Sequence, residues 1–141
     1  MSGPEATAGA VDFARVWRAL ETWDQTRSRV LDVPGCRVQL YMGAMEIPML
    51  ALRPATPAAP GPERLTAWLP VLDRLGLVLD CVTVGANYKL NRRGSGEYVG
   101  RILPDALKFH AARLLDLGPE ALEAIATLYL ALPTACGEPG E

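Results

Sequence analysis

The residues best equipped for chemistry stand together as Tyr88-Lys89-Leu90-Asn91-Arg92-Arg93-Gly94-Ser95-Gly96-Glu97-Tyr98, with Arg101 just beyond. Lys89, Arg92, Arg93 and Arg101 against Glu97 give a local charge of about +3. Guanidinium forks beside a glycine-rich backbone with exposed N–H groups suit phosphate oxygens. Tyr88 and Tyr98 add rings that can stack on a base. The candidates for nucleic-acid or anion binding are therefore Tyr88, Lys89, Arg92, Arg93, Ser95, Tyr98 and Arg101. The competing expectation is a solvated hairpin tip whose arginines keep a sheet edge soluble.

No catalytic constellation accompanies them. Gly94 and Gly96 lack the third glycine of a dinucleotide fingerprint, and no Gly-Lys-Ser/Thr makes a P-loop. His110, the one histidine, has no Cys, Asp or second His beside it in sequence. Nothing marks a base or an oxyanion hole for Ser95. Glu120 and Glu123 fall in the first turn of a predicted helix, where carboxylates complement the macrodipole. Cys36, Cys81 and Cys136 are an odd set with wide spacing, which fits neither a disulfide framework nor a zinc site. No catalytic residue, metal or cofactor is assigned. An enzyme acting on a phosphorylated substrate has the least support.

Composition narrows the class without naming a function. Half of the 141 residues are apolar, 21% are charged and the formal net charge is −2, as in an ordinary globular domain. Such a balance sets up no global field toward nucleic acid or a membrane. No leader pattern and no membrane-spanning run is visible, so a cytoplasmic location without membrane contact is expected, with inert thiols.

The elements that must position these residues follow from periodicity. Asp12 is a candidate N-cap for an amphipathic helix of about 20 residues carrying Phe13, Val16, Trp17, Leu20, Trp23, Val30 and Leu31. Val38, Leu40 and Met42 then alternate with polar neighbours. Gly43-Ala44 suits a two-residue type II′ turn, and Pro48 places the following strand at a sheet edge. Residues 53–62 read as an extended Pro/Ala connector and the one credible hinge. Glu63 to Leu75 forms a helix kinked at Pro70, Leu77 to Val84 a strand, and residues 85–102 a hairpin or long loop. Pro104–Leu117 and Pro119–Leu132 are two helices separated at Gly118. The predicted fold is α+β, a small antiparallel sheet of two hairpins packed against helices in the order α-ββ-α-ββ-αα. One domain is expected over 12–133, between flexible tails at 1–11 and 134–141.

Trp17, Trp23 and Trp68 are expected in the core. The last helix is apolar around much of its circumference, so Leu122, Ile125, Leu128, Tyr129 and Leu132 are candidates for an interface with a protein partner or a second copy. The leading expectation is accordingly a non-enzymatic binding or adaptor protein acting as a homodimer or as a subunit of a larger assembly. The alternative is a nucleic-acid-binding accessory or regulatory protein. Leu65 to Leu90, a helix ending Leu72-Asp73-Arg74-Leu75-Gly76 followed by a strand pair, resembles the recognition helix and wing of winged-helix regulators, which implies DNA contact from that helix. By order of elements the chain is also similar to the small dimeric chaperones of type III secretion, which implies a dimer that binds protein partners.

Overall fold

The computed structural model describes residues 11–58, 60, 62–83 and 87–132. The expected flexible tails lie outside these residues, except for Val11, which is buried. The first helix, α1 (Phe13–Glu21), is capped as expected: the Asp12 carboxylate accepts the Arg15 N–H at 3.1 Å. It is about half the predicted length. Asp24 accepts the Thr26 N–H at 3.1 Å, and Trp23 Nε1 donates to the Arg27 carbonyl at 2.7 Å. This local alternative to helical bonding turns the chain. Val30 and Leu31 therefore leave the helix and enter a strand, β1 (Arg29–Val33).

Two antiparallel meanders follow. β1, β2 (Cys36–Met42) and β3 (Pro48–Pro54) form the first. β4 (Leu77–Thr83), β5 (Asn87–Arg92), β6 (Tyr98–Ile102) and β7 (Leu107–His110) form the second. Between them runs a helical crossing of α2 (Pro62–Leu65), a 3-10 turn (Thr66–Trp68) and α3 (Leu69–Arg74). The chain ends in α4 (Ala111–Leu117) and α5 (Pro119–Leu130). β3 pairs with β7, which fuses the meanders into one sheet of order β1-β2-β3-β7-β6-β5-β4.

The small two-hairpin sheet and the order α-ββ-α-ββ-αα are thus overturned by a seven-stranded antiparallel sheet, a sheet-dominated α+β arrangement. Leu107 to His110, predicted as helix, is a strand because Leu107 and Phe109 are buried opposite Leu52 and Leu50. β3 is interior. It tolerates Pro48 because that residue is the first of the strand, where a missing N–H matters least. The β2–β3 connection is longer than a II′ turn: Gly43 has φ −83°, and the left-handed conformations fall on Met45 and Glu46. The Pro/Ala connector is anchored, since buried Ala58 donates its N–H to the Pro104 carbonyl at 2.7 Å. The winged-helix resemblance also fails, because its recognition helix is two short pieces and its wing lies within the large sheet.

Alternation along the strands gives the sheet two different faces. Val38, Leu40, Leu50, Leu52, Leu90, Ile102, Leu107 and Phe109 point to one face and are fully buried beneath the helices. Leu122, Ile125 and Tyr129 of α5 are buried in this same core, while Leu128 and Leu132 pack against it. Within the chain, the apolar circumference that suggested a partner is covered at Leu122, Ile125 and Tyr129 and only in part at Leu128 and Leu132. The Tyr129 hydroxyl donates to the Leu103 carbonyl at 2.6 Å, fixing α5 on the loop before β7. Trp23 and Trp68 are buried, and Trp17 packs partly buried against the core.

Gly100 faces Phe109 across β6 and β7, and a Cβ there would run into the Lys108 carbonyl. Gly100→Ala is expected to lower stability by roughly 1–3 kcal/mol, read as a lower urea midpoint with unchanged slope.

Candidate functional site

The opposite face of the sheet keeps partial exposure over much of its area, apart from buried Ala51, and many of its side chains are polar. Strand register brings one row into line across it: Asp80 opposite Lys89, Lys89 opposite Arg101, Arg101 opposite Lys108, then Ala51 and Gln39. Lys89, Arg101 and Lys108 are three cations on adjacent strands. Like charges directly opposite one another are destabilising. Asp80 opposite Lys89 and the Tyr98 ring beside Arg101 offset this only in part. No ion pair among the described residues involves any of the three, and the buried Arg101 Nε has no hydrogen-bond partner. The acid in the row, Asp80, also accepts Asn91 Nδ2 at 2.7 Å.

Beside the row lies a cleft of about 470 Å³, straddling the seam between the two meanders. The first meander contributes Tyr41, Met49 and the turn residues Met45 and Ile47. The second contributes Tyr98, Arg101, Lys108 and His110. Met49 and His110 are direct cross-strand partners. The His110 ring meets Tyr98 edge-on, with centroids 4.7 Å apart and planes at 70°. The Arg101 guanidinium lies 5.8 Å from the Tyr98 centroid, within cation–π range. Burial pushes the Tyr98 phenol above its ordinary range, with the Arg101 charge pulling partly back. Burial, and then the Arg113 charge, hold the His110 imidazole below its ordinary value.

The β2–β3 turn forms one wall. Met45 and Glu46 hold left-handed φ of 60° and 57°, sparsely populated by residues with a side chain. The turn is closed by the Gly43 N–H donating to the Ile47 carbonyl at 2.8 Å. It lifts Met45 to 89% exposure beside the cleft.

The sequence-predicted residues divide sharply. Tyr98, Arg101 and Lys89 come together on the open face. Tyr88 points the other way, into the core. Arg92 and Arg93 are bound to the helices: Arg92 Nη2 donates to Asp116 at 2.7 Å and Arg93 pairs with Asp73. The Ser95 hydroxyl accepts the Glu97 N–H at 3.2 Å within the tip. Tyr41, Met49, Lys108 and His110 belong to the cleft but were not candidates. The alternation Leu107-Lys108-Phe109-His110 is the signal that would have found two of them.

Among the described residues, no three His, Cys, Asp or Glu side chains converge as metal ligands. No helix among them is long and apolar enough to cross a membrane. Buried Cys36 has its thiol pushed up to about 11 by desolvation, which leaves it protonated and a poor nucleophile. Comparison with known protein families, curated proteins and solved structures finds no match. The resemblance to type III secretion chaperones has no solved structure behind it. What fold and site define is a class: an α+β protein whose sheet is helix-covered on one face and presents a cationic row and an apolar cleft on the other.

Two outcomes follow from the unbalanced row and the shifted imidazole. Lys108→Glu places an acid opposite Arg101 and is expected to stabilise the fold by about 0.5 kcal/mol at low salt, less at high salt, by urea denaturation. Between its lowered folded pKa and its unfolded value near 6.5, His110 binds fewer protons folded than unfolded. Stability therefore rises with pH through that window and is lost as pH falls below about 6.5 toward the lowered folded value. His110→Gln should flatten that limb of a Tm-against-pH curve.

Proposed function

We propose that this chain is a non-enzymatic binding protein, an adaptor or a subunit of a larger assembly, whose working surface is the open face of the sheet. The observation that carries this reading is the Lys89–Arg101–Lys108 row, three cations set in register with a single acid, Asp80, at one end. A fold gains nothing from three aligned cations. An anionic partner laid across them does, because each aligned charge then acquires a partner. The adjoining cleft supplies apolar contact and shape, so charge and burial are available at one place. The Tyr41, Tyr98 and His110 rings beside the row favour a second reading, single-stranded nucleic acid on a sheet platform.

Thermal unfolding with sodium tripolyphosphate as a generic polyanion tests the surface. Tripolyphosphate should raise the Tm of the wild type at about 20 mM salt and much less at about 200 mM. The shift should disappear in Lys108→Glu and persist in Arg93→Gln, whose charge is paired with Asp73. No shift in the wild type, or an equal shift in Lys108→Glu, overturns the reading.

A further inference from the structure

Resting on that open-face reading, we infer the ligand class: an extended acidic peptide that places one apolar side chain in the cleft and its carboxylates on Arg101, Lys108 and Lys89. The residues forming the cleft decide this. Ile47, Met49 and the exposed Met45 give it a flexible, polarisable apolar wall, the kind that adapts to aliphatic side chains. The cations lie along one side of the same cleft, with Arg101 and Lys108 among its lining and Lys89 next in the row.

Spacing fits an extended chain. Neighbouring strands stand about 4.8 Å apart, so the three cations span roughly 10 Å. Alternate side chains of an extended peptide point the same way about 6.6–7 Å apart. A peptide crossing the strands with an apolar residue over Met49 and His110 would place same-face residues two and four positions away along the row. The matching pattern is apolar-x-acidic-x-acidic. Arg101 is suited to the nearer carboxylate, because it lines the cleft and a guanidinium donates two parallel bonds to a carboxylate.

The same residues count against nucleic acid. The Tyr98 ring is engaged edge-on by His110 and lies beneath the Arg101 guanidinium, so it is not a free stacking platform. Three cations neutralise few phosphates. Free phosphate would satisfy the row and leave the apolar half of the cleft unused.

Fluorescence anisotropy of the full chain tests the assignment, with a rhodamine-labelled peptide containing Leu-Ser-Glu-Ser-Glu at about 50 and 200 mM salt. Micromolar binding is expected. It should weaken at least tenfold when both Glu become Gln, and severalfold when Leu becomes Ser. Lys108→Glu should abolish it. Ala44→Phe, on the exposed turn at the cleft, should weaken the Leu peptide and leave the weaker Leu-to-Ser peptide unchanged, a split that general misfolding would not produce. An oligothymidylate that binds more tightly than the peptide overturns this inference. So does peptide binding indifferent to Leu, or full competition by equimolar inorganic phosphate. If tripolyphosphate stabilises the protein while the peptide fails to bind, the ligand class falls and the open-face reading stands. If neither ligand acts, both fall.

Discussion

Leu50 faces Phe109, and Leu52 faces Leu107, where β3 pairs with β7, and this short seam turns two meanders into one sheet. Each of these side chains is fully buried, a contribution of about 1.5–3 kcal/mol apiece relative to exposure. The seam joins opposite halves of the chain, so its closure entropy is met only when the covering helices add their own burial. Tyr129 shows how that is arranged, since its hydroxyl on α5 reaches the Leu103 carbonyl just before β7. Gly100 lets Phe109 lie flat against β6, where any larger residue would meet backbone. Because the inner face of the seam is fixed by packing, the outer face is fixed too. Lys108 must stand opposite Arg101, and His110 opposite Met49, whatever electrostatics would prefer.

The parts of this fold that were legible in the sequence are those governed by local rules. The Asp12 cap, the alternating run Val38–Met42, the stop at Gly76 and the positive φ of Gly94 and Gly96 all depend on neighbours within a few positions. The errors arose where distant partners decide. Val30 and Leu31 extend the helical pattern of α1, yet the Asp24–Thr26 turn and the pairing of Leu31 with Val38 make them a strand. Leu107 to His110 is four residues long and runs directly into a helix, so only Leu50, Leu52, Gly100 and Ile102 define it as sheet. Counting strands needed both corrections.

The candidate site shows the same division. Charge counting selected Arg92, Arg93 and Arg101 equally, but Asp116 and Asp73 come from helices that the sequence cannot place beside the tip. Pairing turns two of the three arginines into clamps and leaves the third on the open face. Tyr41, Met49, Lys108 and His110 come from three strands of two meanders. No spacing rule connects them, because register creates the cluster.

Two features of the open face run against stability, and both border the same cleft. The cationic row sets like charges opposite one another, and Met45 and Glu46 hold conformations that a glycine would adopt with less strain. Features that local rules disfavour, and that nothing in the fold requires, are where binding surfaces are found. On the helix-covered face the Tyr129 hydroxyl is bonded to the Leu103 carbonyl and the side chains of the seam are fully buried. The asymmetry between the faces is therefore an argument about function. One face is built for the fold, while the other keeps an excess of cations and a methionine raised into solvent at a single place, as a surface does when its compensating groups arrive with a partner.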